Sequence, residues 1–247
     1  MSSYSYFAKF YDDLTYNVDY SKRALYLLDI FKMLNHNPGL TLDLACGTGS
    51  LTIELKKLGL DIYGVDKSQN MLCEAQNKAF SENLNILFLC QDATKLDLYG
   101  TVNTVISSLD SLNHITKKSD LQLCFDKVSL FLEKDGYFIF DMNTPYKHKH
   151  ILGNNTFVYD MPSVYCVWQN SYLEKDNIVN IELDFFEKHN NTYTRYEESF
   201  SERAYSYEEI AKLAANCGLK LCFCFLDMTM NPIGKTDQRA LYILKKL

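Results

Sequence analysis

Short apolar runs alternate with helical patterns along most of the chain. Between the runs, apolar residues recur every three or four positions, as they do on one face of an amphipathic helix. The runs are typical of strands buried in a parallel sheet. They span residues 40–44, 61–66, 85–90, 101–109, 137–141, 219–226 and 239–247. This alternation predicts an α/β fold with a doubly wound, Rossmann-like sheet of seven strands.

Local signals add detail to this fold. The run at 219–226 is almost wholly apolar, which predicts a strand buried on both faces. Ser21 and Ser68 stand where a helix N-cap is expected. Residues 119–122 and 206–209 fit the capping box, in which a serine and an acidic or amide residue three positions later satisfy each other's backbone N–H groups.

Residues 147–204 interrupt the strand–helix alternation. Aromatic and β-branched residues alternate with polar ones in four successive runs, at 157–159, 164–173, 178–188 and 192–203. The pair Asn190-Asn191 separates the last two runs, and asparagine tolerates the positive φ angles of a two-residue hairpin. The pattern predicts an inserted antiparallel sheet within a single domain that spans residues 1–247.

A turn of small residues follows the first strand and contains Gly47 and Gly49. Glycine permits a tight turn and lets a ligand approach the backbone closely. The next strand ends on Asp66, about 20 residues further on, where a ribose-binding carboxylate is expected. A dinucleotide fingerprint would require a third glycine at Thr52, so the spacing argues against NAD.

With Asp92 after the third strand, these residues resemble the motifs of class I S-adenosylmethionine-dependent methyltransferases. Ala45 replaces the first glycine of the family's motif, and the resemblance covers residues 41–143. It implies S-adenosylmethionine as the cofactor. It also implies the strand order 3-2-1-4-5-7-6, with strand 7 antiparallel.

The resemblance implies a role for individual residues. Asp43 and the backbone of Ser107 are expected near the methionine ammonium, and Asp66 on the ribose. Asp92 is expected at the adenine amino group, although a simple loop acid is the alternative, and Met71 is equally compatible with the core. The expected cofactor site comprises Asp43, Ala45, Gly47, Gly49, Asp66, Lys67, Met71, Asp92, Ala93 and Ser107.

Two further residues are candidates for the catalytic part of the site. Residues 4–20 carry seven aromatic side chains, including Tyr4, Tyr6 and Tyr11. We expect residues 1–38 to form a helical lid over the cofactor, with Tyr11 lining the site, or alternatively a helix packed on the core. His114 follows the fourth strand, and it is either a general base for the acceptor or a structural histidine.

The insertion carries the expectation about the acceptor. Glycine, sarcosine and amino-sugar N-methyltransferases, which the chain resembles in layout, place such strands over the substrate. We therefore expect residues 147–204 to cap a small-molecule acceptor, an amine in preference to a hydroxyl or carboxyl group. A dimer surface is the alternative. The sulfonium donor is already activated, so catalysis requires mainly in-line positioning of methyl and acceptor. A donor-binding module without turnover remains the competing hypothesis.

Composition excludes several other classes of protein. The formal net charge is −6 and no basic patch is present, which argues against a nucleic-acid partner. The eight cysteines contain no Cys-x-x-Cys pair, so reduced thiols are expected and no metal site. No apolar stretch reaches the roughly 18 residues that a spanning helix needs. The sequence predicts a cytoplasmic monomer or homodimer with no membrane partner.

Overall fold

A seven-stranded mixed sheet forms the centre of the protein, of which this computed structural model describes residues 7–247. Its strands are β1 (Leu40–Leu44), β2 (Asp61–Asp66), β3 (Phe88–Cys90), β4 (Val102–Ser107), β5 (Leu132–Asn143), β10 (Leu219–Leu226) and β11 (Arg239–Lys246). They lie in the order β10-β11-β5-β4-β1-β2-β3. β11 is antiparallel to β5 and β10, and the other pairs are parallel. The predicted order 3-2-1-4-5-7-6 is confirmed.

Helices cover both faces of this sheet, as the doubly wound fold requires. They are α2 (Tyr20–Met33), α3 (Ser50–Lys57), α4 (Gln69–Ser81), α5 (Lys118–Phe131) and α6 (Tyr207–Asn216), whereas α1 (Phe7–Leu14) packs against α4 and the residues of the insertion. On one face, Leu27 of α2 and Leu55 of α3 belong to a buried cluster with Ile106 of β4. On the other face, Phe125 of α5 packs edge-on against Phe138 of β5, with 5.5 Å between ring centroids.

Two of the four predicted helix starts are confirmed. The Ser68 side chain accepts a hydrogen bond from the Met71 backbone N–H at 3.3 Å. Ser206 and Glu209 form the reciprocal capping box at the start of α6. Each interaction satisfies a backbone donor that would otherwise lack a partner at the end of a helix.

The other two predicted starts are wrong. Asp19 caps α2 through the Lys22 backbone N–H, and Ser21 already lies in the first turn, where it donates to Glu54. Helix α5 begins at Lys118, so Ser119 is inside the helix and the predicted capping box does not form.

Three strand predictions also need correction. β11 lies between β10 and β5, so β10 is an edge strand, and Phe223 on it is 41% exposed. The expectation that 219–226 is buried on both faces is therefore wrong. β3 begins at Phe88 rather than at residue 85. β4 ends at Ser107 because Leu109 adopts a positive φ of 59°.

The predicted insertion forms a separate antiparallel sheet of four strands, in the order β6-β7-β8-β9. Its strands are β6 (Thr156–Asp160), β7 (Val164–Leu173), β8 (Ile178–His189) and β9 (Thr192–Arg203). Residues 147–152 form a short helical segment before it. The inner face of β8 is buried at Val179, Ile181, Leu183 and Phe185. Phe185 stacks on Phe10 at 5.5 Å, so α1 packs directly against this sheet.

Candidate active site

In the turn after β1, every second residue adopts the left-handed region. The φ angles are 58° at Ala45, 55° at Gly47 and 71° at Gly49. A Cβ added at Gly47 would meet no atom within 4 Å, and Gly47 lines a cavity. A Cβ at Gly49 would lie 2.8 Å from the Ala75 Cβ. Gly47 thus leaves room for a ligand, whereas Gly49 is required by the packing of α4 against the turn.

Asp66, at the end of β2, fixes this turn. Its carboxylate accepts backbone N–H groups from Gly47 at 2.9 Å and from Ser68 at 2.8 Å. Burial raises the pKa of Asp66, and these two hydrogen bonds oppose that rise. A carboxylate oxygen has two lone pairs, so each oxygen retains one acceptor site.

Asp43, on β1, is the most deeply buried acid of the site, with 2% exposure. Thr52, the residue that replaces the third glycine of a dinucleotide motif, donates its hydroxyl to Asp43 at 2.6 Å. Burial raises the pKa of Asp43 to about 7, despite that hydrogen bond. A cationic group placed beside Asp43 would stabilise its charged form.

The cavity beside the glycine turn has a volume of about 320 Å³ and opens at the carboxyl ends of β1, β2 and β4. Ligands bind at this edge in open α/β sheets. Ten of the twelve predicted site residues line it: Tyr11, Asp43, Ala45, Gly47, Asp66, Lys67, Met71, Asp92, Ala93 and His114. Gly49 and Ser107 lie behind the wall. The Ser107 hydroxyl is buried and has no hydrogen-bond partner in residues 7–247.

Asp92 stands at the rim beyond β3. Its carboxylate accepts the backbone N–H and the hydroxyl of Thr94, both at 2.8 Å. Burial acts to raise the pKa of Asp92, but these hydrogen bonds, together with the charges of Lys67 and Lys95, outweigh it and leave the pKa below its ordinary value. The side chain is therefore a charged acceptor at neutral pH.

The N-terminal helix α1 closes one side of the cavity with Phe7 and Tyr11, and Tyr20 of α2 lies beside them. Burial raises the pKa of Tyr11 well above its ordinary value, so its phenol remains protonated and acts as a donor rather than a base. Asp12 ties α1 to the glycine turn, because it accepts the Thr48 hydroxyl at 2.8 Å and the Lys78 ammonium at 2.6 Å. Tyr4 and Tyr6 lie outside the described residues.

His114 lines the cavity from the loop after β4. Its side chain is 23% exposed, and its Nε2 lies 3.7 Å from a Glu202 carboxylate oxygen on β9. Its ring also packs against Phe200, with 5.0 Å between centroids. The cavity wall at His114 is thus backed by the inserted sheet.

A turn at Leu109 and Asp110, with positive φ angles of 59° and 54°, carries the loop from β4 to His114. Asp141 holds it, because its carboxylate accepts both backbone N–H groups at 2.8 Å. Arg23 and Arg239 bind the same carboxylate at 3.2 and 2.7 Å. Left-handed conformations at non-glycine residues cost roughly 1–2 kcal/mol each. These three residues compensate that strain.

This group was not predicted from the sequence. Asp141 lies 118 residues after Arg23 and 98 residues before Arg239, and no local spacing signals their meeting. Asp110 belongs to the same group. Burial acts to raise the pKa of Asp110, but Arg239, Lys147 and His114 outweigh it and hold the pKa far below its ordinary value.

Two further findings concern the described residues as a whole. Within 7–247, no group of three or more His, Cys, Asp or Glu side chains is arranged to hold a metal ion. None of the helices in the same range is long and apolar enough to cross a membrane.

Known proteins match both the sequence and the fold. A family model described as a methyltransferase domain matches residues 41–136. The crystal structure of an S-adenosylmethionine-dependent methyltransferase from Clostridium acetobutylicum has a TM-score of 0.89 and 35% sequence identity, with 98% of each chain covered. The YqeM protein of Bacillus subtilis (strain 168), whose assignment as a methyltransferase is provisional, is 29% identical over 98% of this chain and 97% of its own.

A more distant structure shares the architecture. An amino pentose methyltransferase from Micromonospora echinaspora, solved with S-adenosylmethionine bound, has a TM-score of 0.74 and 14% identity, covering 95% of this chain and 96% of its own. At that identity the likeness shows the fold alone. The family model, the Clostridium structure and the glycine turn with its two following acids agree. The chain belongs to the S-adenosylmethionine-dependent methyltransferases, and S-adenosylmethionine is its methyl donor.

Proposed function

We propose that this methyltransferase acts on a small-molecule amine, bound between the donor site and the inserted sheet. The observation that carries the proposal is the composition of one cavity wall. Tyr11 comes from the N-terminal helix, and His114 is backed by β9 of the insertion. Neither residue belongs to the motif that is predicted to bind the donor. Both line the cavity next to that motif, where an acceptor would lie.

The donor half of the site follows from the residues around the glycine turn. Gly47 leaves room for the methionine part, and the buried Asp43 carboxylate would pair with the methionine ammonium. Asp66 retains an acceptor site on each oxygen for the ribose hydroxyls, and Asp92 offers a charged acceptor for the adenine amino group. Lys67, Met71 and Ala93 complete this wall.

The acceptor half supports an amine for a chemical reason. An amine is protonated near neutral pH and must lose a proton before its nitrogen can attack the methyl group. His114 provides an imidazole, a side chain that can act as a general base, and the protonated Tyr11 provides a hydrogen-bond donor. The amino pentose methyltransferase has the same architecture, so the fold is compatible with an amine acceptor.

Matched pairs of acceptors test this proposal. Purified protein with S-adenosylmethionine is assayed against glycine and glycolate, ethanolamine and ethylene glycol, and glucosamine and glucose. In each pair, the second compound has a hydroxyl group in place of the amino group of the first. We expect S-adenosylhomocysteine and the methylated product, both measured by mass spectrometry, to form at least tenfold faster with an amine member.

Two results would contradict the proposal. Faster turnover of a hydroxyl member would identify an O-methyltransferase. Tight binding of the donor, with no turnover of any acceptor in the panel or in a wider set of amines, would favour the binding-module alternative.

A further inference from the structure

Glu202 is a charged residue of the inserted sheet that is buried against the core, with only 4% exposure. It lies near the end of β9, and its side chain reaches toward the loops that follow β4 and β5. One oxygen, Oε1, lies 3.7 Å from His114 Nε2. The other, Oε2, lies 3.5 Å from His148 Nε2 and accepts the Asn143 side-chain amide at 3.2 Å.

Neighbouring residues fix this arrangement. Asn113, next to His114, is fully buried and donates its side-chain amide to the backbone carbonyl of Arg203 at 2.8 Å. Asn113 also accepts the Asn143 backbone N–H at 2.9 Å. The segment that carries His114 is thus bound directly to the segment that carries Glu202. These hydrogen bonds hold His114, in the loop after β4, close to Glu202 of the insertion.

The contacts of His148 indicate which of its two ring nitrogens carry hydrogen. Its side chain has no exposure, and its Nδ1 lies 3.3 Å from the Asn177 carbonyl oxygen. A carbonyl only accepts, so Nδ1 carries the hydrogen. In a neutral imidazole, Nε2 would then have a bare lone pair facing a carboxylate oxygen in a dry site. Nε2 is buried and has no hydrogen-bond partner within the described chain. A second proton on the imidazole removes this conflict.

The surrounding charges favour the same assignment. Lys147 is partly buried near Glu202, and burial lowers the Lys147 pKa while Asp110, Glu202 and Asp141 act to raise it. Asp110, which also faces His114, accepts the Asn143 amide at 2.5 Å and pairs with Arg239 at 2.9 Å. Asp66 is a further negative charge that faces His114. Asp110 therefore has its own cation in Arg239, and Glu202 Oε2 accepts the Asn143 amide and is also approached by His148 Nε2.

We propose that Glu202 is a positioning residue for methyl transfer, which holds His114 at the cavity wall and stabilises its protonated form, while a protonated His148 keeps the Glu202 carboxylate in place. This inference rests on the proposed amine acceptor. The acceptor ammonium gives a proton to His114, which becomes imidazolium beside Glu202. The freed nitrogen lone pair then forms the bond to the methyl carbon, and the electrons of the carbon–sulfur bond remain on sulfur as S-adenosylhomocysteine.

The substitution Glu202→Gln tests this role while preserving the shape of the side chain. The matched control is Glu197→Gln, on the same strand, where the side chain is 67% exposed. With the fastest amine of the panel, we expect Glu202→Gln to lower kcat by about tenfold or more. The dissociation constant of S-adenosylhomocysteine should stay within threefold. The control should leave both quantities within twofold.

The pH profile separates this role from a purely structural one. Without the carboxylate, the imidazolium form of His114 is less stable, so the neutral base persists to lower pH. The acidic limb of kcat/KM should therefore move to lower pH by about one unit or more. A fall in kcat with an unmoved limb would show that Glu202 only maintains the fold, and would overturn the proposal.

Nitrogen NMR of histidine-labelled protein, saturated with S-adenosylhomocysteine, requires no acceptor. At pH 7.5, we expect both ring nitrogens of His148 to carry protons in the wild type, and only Nδ1 in Glu202→Gln. The His114 titration should move to lower pH in the variant. An unprotonated His148 Nε2 in the wild type would overturn the proposal even if the variant failed to fold. If the NMR results hold and no amine is methylated, the acceptor assignment fails and the Glu202 contact stands.

Discussion

Two carboxylates on neighbouring strands, Asp66 and Asp43, face the same cavity, but their surroundings give them different properties. Asp66 accepts two backbone N–H groups, whereas Asp43 accepts one hydroxyl and is more deeply buried. Substitutions at these positions should therefore affect stability in opposite directions while both weaken donor binding.

Replacement of Asp66 by alanine should weaken S-adenosylhomocysteine binding by about a hundredfold, because charge-assisted hydrogen bonds contribute roughly 1.5–3 kcal/mol each. It should also lower the stability of the ligand-free protein by about 1–3 kcal/mol, since two N–H groups of the turn lose their acceptor. Calorimetric titration and denaturant unfolding measure these effects. Asp61→Ala, at the exposed start of the same strand, is the control. Unchanged affinity in Asp66→Ala would exclude a ribose contact.

The substitution Asp43→Asn should stabilise the ligand-free protein at pH 8. The pKa of Asp43 is raised from 3.8 to about 7 in the fold, so the protonated side chain is favoured. Stability from this group is complete below about pH 4 and is lost as the pH rises through 7. Asparagine mimics the protonated form, and we expect a gain of about 1–2 kcal/mol at pH 8 and none at pH 4. Unfolding at the two pH values measures it.

Donor binding should favour the charged form of Asp43, whereas the ligand-free fold favours the protonated form. A carboxylate beside the methionine ammonium stabilises it only when charged, so wild-type affinity for S-adenosylhomocysteine should fall as the pH drops from 8 to 6. Asp43→Asn should bind about tenfold more weakly at pH 8 and show little of this pH dependence. An asparagine variant that is less stable at pH 8, or that binds equally well, would contradict the assignment.

At the scale of secondary-structure elements, α1 connects the two halves of the site. Asp12 binds Thr48, Ser50 and Lys78 on the donor side, whereas the adjacent Asp13 accepts the Ser163 hydroxyl of the inserted sheet at 2.8 Å. One turn of helix thus contacts both the glycine turn and the loop between β6 and β7. Tyr11 lies on the same turn and lines the cavity.

The substitution Asp12→Asn should loosen α1 from the donor side. Because Asp12 is partly exposed and makes several hydrogen bonds, we expect a loss of about tenfold in S-adenosylhomocysteine affinity, mainly through faster dissociation in stopped-flow measurements. Asp13→Asn is the matched control and should change the dissociation rate by less than threefold. Equal effects of the two variants would show that α1 acts only through general packing.

At the scale of the whole molecule, local patterns predicted the architecture. The four strands of the insertion agree with their predicted ranges within one or two residues, because alternation with a period of two sets which face of each strand is buried. The donor motif was likewise visible, since its glycines and acids are close in the sequence. The sequence pattern failed at β10, where an apolar run lies at the sheet edge. Strand order, not composition, determines which strand is exposed.

What the sequence did not reveal depends on contacts between distant segments. Glu202 and His114 meet only because β9 folds over the loop after β4. Gly49 looked like a ligand-binding glycine, yet its space is occupied by Ala75 and Phe88. Ser21 and Ser119 matched the capping pattern, but each lies inside a helix whose start is set one or more residues earlier. Such outcomes follow from three-dimensional packing that no local pattern contains.

The cluster of Arg23, Asp141 and Arg239 has a consequence for the order of events during synthesis. The ribosome makes the chain from the N-terminus, and β11, which carries Arg239, is the last strand to emerge. By that point all twelve predicted site residues have been synthesised. The Asp141 carboxylate, which holds the strained turn at Leu109 and Asp110, still lacks Arg239 as a partner. We therefore expect nascent chains to acquire donor affinity late, in one step, when β11 enters the sheet between β5 and β10.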